Sequence, residues 1–96
     1  MLLAKVIGNL WATKKQSSLQ GLRFLIVQPI NRHFNSTSDL IVAADPIGAG
    51  VGEYVIVAFG RAARTTIGRG HEIAYQTAIV GIVDKFTIED KEYALD

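Results

Sequence analysis

The sequence has no cysteine, only two prolines and one methionine, and a single tryptophan. Without cysteine there is no disulfide to staple a small fold, no thiolate zinc site and no thiol nucleophile. Its purely apolar runs, among them residues 24–27, 40–44 and 54–59, are at most six residues long, far below the ~20 that span a bilayer as a helix. The N-terminus passes straight into a β-like pattern with no basic leader or long apolar stretch, so no signal peptide is expected and the chain reads as cytoplasmic. Acids are missing from one half: residues 1–38 hold five basic residues (Lys5, Lys14, Lys15, Arg23, Arg32) and no acid, while residues 39–96 hold five basic residues and nine acids.

What is present is apolar. In 96 residues, 49 % are hydrophobic and 20 % charged. A chain of this length forms one domain, residues 1–96, and buries only ~60–65 % of its unfolded surface. That much apolar content exceeds what one small core absorbs, and the surplus points to a neighbouring copy of the chain. The charge asymmetry fits either a nucleic-acid face or the complementary flanks of a subunit that packs head to tail, although strands that fold back can also mix sequence halves in space.

β signals dominate the pattern. Five strands are expected, over residues 5–11, 21–28, 40–44, 53–59 and 78–88, the second stopped by Pro29 and the third by Asp45-Pro46. Residues 31–39 are turn-rich. Residues 62–65 suit one helical turn, and the acidic tail 89–96 offers Tyr93 and Leu95 as anchors to the barrel or to a neighbour. Five strands and one helical turn before the last predict an all-β, small and nearly closed barrel. Gly8, Gly60 and Gly81 suit sharp coiling where a side chain would clash.

No catalytic residue, metal-ligand set or cofactor site emerges. His33 and His71 lie in loop-like stretches 38 positions apart with no zinc spacing. Ser17, Ser18, Ser36 and Ser38 read as turn residues. The run Gly48-Ala49-Gly50-Val51-Gly52 approaches a dinucleotide fingerprint, but a strand follows it, so no helix N-terminus supplies a dipole or a fan of free N–H groups. It reads as a tight β-connection that needs positive φ, or as a place where another backbone comes close. A single-strand nucleic-acid binder is the alternative function, using Trp11, Lys14, Lys15, Arg23 and Phe24. Few aromatics are left exposed by the strand pattern, and a pI near 8.1 is modest, so this reading ranks second.

Five segments, in order, carry a likeness: 4–8 (AKVIG); 13–15 (TKK) with 19–28 (LQGLRFLIVQ); 42–55 (VAADPIGAGVGEYV); 60–64 (GRAAR); and 79–84 (IVGIVD). The chain resembles the bacterial microcompartment vertex (EutN/CcmL) family. The resemblance implies an OB-like barrel and a cyclic homopentamer that caps the five-fold corners of a polyhedral protein shell, with hexameric shell tiles as partners. It implies a structural role without catalysis, in a shell within the cytoplasm, and no membrane or nucleic-acid partner. Gly48, Ala49, Gly50, Gly52, Glu53, Gly60, Arg61, Ala62, Ala63 and Arg64 are then expected at subunit contacts or around the central opening. Two positions depart from the family pattern: Arg61 replaces a small hydroxyl residue after Gly60, and Ala74-Tyr75-Gln76-Thr77 replaces Pro-x-Asp-Ala.

Overall fold

The computed structural model describes residues 1–11, 21–60 and 77–95. Seven strands follow one another: β1 Leu2–Leu10, β2 Phe24–Pro29, β3 Ile41–Ala44, β4 Tyr54–Phe59, β5 Thr77–Val83, β6 Lys85–Ile88 and β7 Lys91–Ala94. The first five close into a barrel in the order β1-β2-β3-β5-β4, and β6 and β7 form a separate two-stranded sheet. All barrel pairs are antiparallel except β3 with β5, which run parallel. That seam has a single register pair, Ala44 with Ala78, and the Thr77 hydroxyl reinforces it by donating to the Val42 carbonyl at 2.5 Å.

Side-chain alternation sorts the strands into an inner and an outer face. Ala4, Val6, Leu25, Val27, Val55, Val57 and Ile79 point inward and are fully buried. The interior is narrow, and small or β-branched residues fill it. In β2 the alternation makes Leu25 and Val27 the core, while Phe24 and Ile26 stay half-buried outside. Thus both faces of this strand are apolar for different reasons.

Two register shifts coil the sheet. One lies between Val6 and Gly8, leaving Ile7 as an extra residue on β1. The other lies where Ile56 pairs with Gly81 and Val57 with Ile79, leaving Val80 extra on β5. Such bulges raise local twist and help a short sheet close. The glycines beside them do not avoid a clash, contrary to the expectation. A Cβ on Gly8 would meet Ile26 at 3.7 Å and one on Gly81 would meet Ile56 at 3.6 Å, both ordinary contacts. Each glycine instead seats the isoleucine directly opposite it on the neighbouring strand.

The expected fifth strand, 78–88, is two strands. The chain bends at Asp84, and β6 turns back into β7 through Glu89 and Asp90. Both turn residues have positive φ, 50° and 64°, as a two-residue hairpin of the type I′ kind requires. The tail expected as an anchored extension therefore contains a strand. One face of this hairpin carries Phe86 and Tyr93, stacked at 4.8 Å between centroids. Phe34 covers them at 6.1 and 6.2 Å and touches Tyr54 of the barrel at 5.7 Å. Phe34 itself has φ 63°, an unfavourable conformation for a bulky residue. Asn31 holds the turn that imposes it: its Oδ1 accepts from the His33 and Asn35 amides, and its carbonyl accepts from the Phe34 amide.

Candidate functional site

Among the described residues, the connection from β3 to β4 is densely hydrogen-bonded. β3 ends at Ala44, and the next residue, Asp45, has a fully buried side chain. Its Oδ1 accepts from the amides of Ile47 and Gly48, at 3.1 and 3.0 Å, and its Oδ2 accepts from the amide of Ala49 at 2.9 Å. Arg23 Nη1 donates to the same Oδ2 at 3.1 Å. A buried carboxylate is tolerable only when its lone pairs are met, and four donors meet these.

Glu53 closes the other end. Its Oε1 accepts from the Gly50 amide at 2.7 Å, and its own amide donates to the Gly50 carbonyl at 3.1 Å. With Gly52 at φ 96°, residues 50–53 form a turn of type II pattern. Gly52 then donates to the Val6 carbonyl, and Val6 donates to the Glu53 carbonyl, at 2.8 and 2.9 Å. These bonds continue the β1–β4 ladder to the loop's exit.

Four successive amides, of residues 47, 48, 49 and 50, thus point at carboxylates of the same chain. Converging amides of this kind make an anion-binding concavity. The sequence reading denied the loop a fan of N–H groups for want of a helix. The fan exists, but Asp45 and Glu53 fill it. A phosphate would have to displace two tethered carboxylates, so the dinucleotide reading fails for a different reason from the one expected.

The site residues named from sequence divide accordingly. Gly48 and Gly52 have the positive φ, 96° each, that a tight connection demands. Gly50 does not share it; a Cβ there would meet Glu53 Oε1 at 3.4 Å. Ala49 points into the barrel and belongs to the core with Val6, Leu25 and Val55. Glu53 is exposed beside it. Gly60 follows β4 with φ 60°. Arg61, Ala62, Ala63 and Arg64, the expected helical turn, and both departures from the family pattern, Arg61 and Gln76, lie outside the described residues.

Asp45 is the residue that the sequence reading missed, having taken Asp45-Pro46 only as a strand stop. An aspartate two to four residues ahead of a glycine-rich stretch is itself a signal, since its carboxylate caps the following amides. Of the residues of the nucleic-acid alternative, Arg23 is tied to Asp45, Phe24 is half-buried and Trp11 is 85 % exposed, while Lys14 and Lys15 lie outside the described residues.

The outer surface is rich in apolar side chains. Ile7, Leu40, Val42, Ile47, Val51 and Phe59 are each about half exposed. Single exposed apolar residues are ordinary, but this many on so small a body exceeds scatter.

Comparison with known proteins accounts for the architecture. Residues 1–84 match the family model described as ethanolamine utilisation protein EutN/carboxysome. A bacterial microcompartment shell vertex protein, GrpN of Rhodospirillum rubrum, is 40 % identical over 84 residues, spanning 88 % of this chain and 93 % of GrpN. The structure of the Nostoc carboxysome protein CcmL superposes with a TM-score of 0.89 at 35 % identity, covering 98 % of this chain and 99 % of CcmL. The structure of GrpN, a pentameric microcompartment shell protein, superposes with a TM-score of 0.78 at 38 % identity, covering 93 % and 98 %. With its closed five-stranded barrel, its carboxylate-bracketed glycine loop and matches of this extent, the chain belongs to the EutN/CcmL family.

Proposed function

We propose that this chain is a structural vertex subunit, five copies of which close into a ring that caps the five-fold corners of a bacterial microcompartment shell. One observation carries the reading: the chain matches shell vertex proteins over nearly its full length, among them one whose structure is a pentamer. Physical chemistry supports it. A sheet of six-fold tiles lies flat, and five-fold points supply the curvature that closes it. A ring of identical subunits uses two different flanks of each, one for either neighbour. Exposed apolar residues such as Val42, Val51 and Phe59 are the kind of surface that such flanks bury, at about 800 Å² per subunit in a contact of standard size.

In this reading the role is assembly and not catalysis, the partners are four further copies and the hexameric tiles around the vertex, and the location is a shell in the cytoplasm. The glycine loop sets a rigid edge: Asp45 and Glu53 hold its backbone still, so that Val51 is presented in one position. Light scattering on the purified chain tests the reading. Five chains of 10.4 kDa give a particle of about 52 kDa. A stable 10.4 kDa species across the micromolar range sinks it.

A further inference from the structure

Trp11, the single tryptophan of the chain, directly follows β1 and is 85 % exposed. Leu10 before it pairs with Phe24 of β2 and is 39 % exposed. An indole left in water forgoes the burial of about 150–250 Å² of largely apolar surface. Among the described large hydrophobic residues only Met1 is as exposed.

A cleft of about 330 Å³ opens where β4 begins and β5 ends. Val51, Ile82 and Leu95 supply apolar walls, Tyr54 an aromatic one, and Glu53 and Asp84 stand on it as carboxylates. Among the described residues no lysine, arginine or histidine lines it. The Leu95 amide donates to the Asp84 carbonyl at 2.9 Å and fixes that wall. The volume lies at the small end of pockets that take an organic group, the scale of one large side chain. Val51 and Ile82, at 58 % and 38 % exposure, are apolar surface that a lone chain leaves wet.

The chemistry of the lining selects the occupant. An anion would meet two like charges. A wholly apolar group would strip water from two carboxylates without pairing them, which is costly. A divalent ion such as calcium needs about six to eight oxygen ligands, and among the described residues no cluster of three or more metal-binding side chains occurs. An indole meets both demands of the cleft. Its body is apolar, and its Nε1–H donates and accepts nothing, so it matches ionised carboxylates, which only accept. Asp84 has no side-chain partner among the described residues, and Glu53 has only the Gly50 amide. The Met1 thioether is a weak acceptor and brings no proton to either.

Trp11 does not reach the cleft of its own chain. Lys5 pairs with Tyr54 at the cleft wall, and Trp11 comes six residues later, roughly 15–20 Å along an extended strand. Knob and cleft therefore stand on different parts of one subunit and meet only between copies. A subunit that packs head to tail needs two unlike, complementary flanks, and these two features supply one to each. Tryptophan in a desolvated pocket is also the residue type most often found to anchor a contact.

We infer that Trp11 of each copy inserts into the cleft of the next, its ring against Val51, Ile82 and Leu95 and its indole Nε1–H donating to the Asp84 carboxylate. The inference rests on the ring reading and adds to it the anchor of the subunit contact.

Trp11 is its own reporter, because no other tryptophan contributes to the fluorescence of the full chain. Emission, iodide quenching and light-scattering mass are followed together against protein concentration, in mild urea that leaves the barrel folded. As the ring forms, emission moves to shorter wavelength and quenching falls. Trp11→Ala half-dissociates at a protein concentration at least about thirtyfold higher, as the loss of an interface anchor requires. Trp11→Phe keeps an aromatic body without the donor and falls between. Val51→Arg lays a long side chain across the cleft; it weakens the ring comparably and leaves Trp11 emission at long wavelength at concentrations where the wild type has shifted. All these positions are exposed, so the fold is retained, and far-UV circular dichroism verifies it. Trp11→Ala and Val51→Arg combined weaken the ring no more than the stronger of the two, because both remove the same contact, whereas effects of independent sites multiply.

A ring in which Trp11 stays fully quenchable overturns the inference and leaves the ring reading intact. So does a Trp11→Ala chain that assembles as the wild type does. A Trp11 that is shielded in the ring but indifferent to Val51→Arg has another seat, and that outcome, like multiplying effects in the combined variant, overturns the pairing with the cleft. Shielding that appears only when shell tiles are added assigns Trp11 to a tile and overturns it too. A monomeric wild type overturns the ring reading itself.

Discussion

Arg23 and Asp45 are joined twice, once through backbone and once through side chains. The Asp45 amide donates to the Arg23 carbonyl at 2.8 Å, and Arg23 Nη1 donates to Asp45 Oδ2 at 3.1 Å. The two partners are unequal, because the Asp45 side chain is fully buried and the Arg23 side chain is 49 % exposed. Removing the arginine leaves a carboxylate still held by three amides. Removing the aspartate leaves those amides unmet. Asp45→Ala is expected to cost about 3 kcal/mol or more, and Arg23→Met less than about 1 kcal/mol. Urea unfolding of each variant measures the contrast, and equal losses would refute the account of the loop.

The concavity that Asp45 fills should accept a substitute. In Asp45→Gly the amides of Ile47, Gly48 and Ala49 lose their acceptor. Formate or acetate is then expected to raise the melting temperature in proportion to the logarithm of its concentration. Chloride at equal ionic strength should do less, and the wild-type protein should show no such preference. The readout is differential scanning fluorimetry across a formate series.

Glycines separate by backbone, not by crowding. Gly48 and Gly52 sit at φ 96° with nothing within 4 Å of a Cβ. Gly48→Ala and Gly52→Ala are therefore expected to cost about 1 kcal/mol or more through strain alone. Gly8 has ordinary φ and an isoleucine at van der Waals distance. Gly8→Ala should lie within about 1 kcal/mol of neutral. Gly50→Asp acts differently again, by setting a second carboxylate against Glu53, and its harm to assembly should shrink at high salt.

Phe34 is the latch of the hairpin. A two-stranded hairpin is marginal by itself, and the Phe34 ring joins Phe86 and Tyr93 to Tyr54 of the barrel. Phe34→Ala should speed amide exchange in residues 85–95 and leave β1 and β2 protected. In the opposite direction, Glu89→Asn with Asp90→Gly places favoured residues at two positive-φ positions. This pair should stabilise the hairpin by about 1 kcal/mol, seen as slower exchange in the same amides.

Among the described residues, Leu25 and Ile79 are the largest side chains with no exposed surface. In so narrow an interior their neighbours have little freedom to collapse, and Leu25→Ala should cost about 3–5 kcal/mol in chemical denaturation. A cost near that of an exposed position such as Leu40→Ala would mean that the barrel is not packed as described.

The strands of the barrel were legible in the amino-acid order, because alternation and turn residues report the local side of a sheet. Pro29 and Asp45-Pro46 marked two strand ends to within a residue. The ordered family segments, above all residues 44–53, carried the assignment to vertex proteins, since such a block preserves one loop geometry. Alternation alone ran β5 and β6 together, because an apolar pattern continues across Asp84 while the backbone bends there. What closure decided lay beyond any local window. Asp45 became a lock only when β3 ended facing β2 and the loop curled back over the barrel mouth, with Ala49 as its plug. Phe34 found Tyr54, Phe86 and Tyr93, partners from 20 to 59 positions away. Periodicity states which way a side chain points; only the closed sheet states what it meets there.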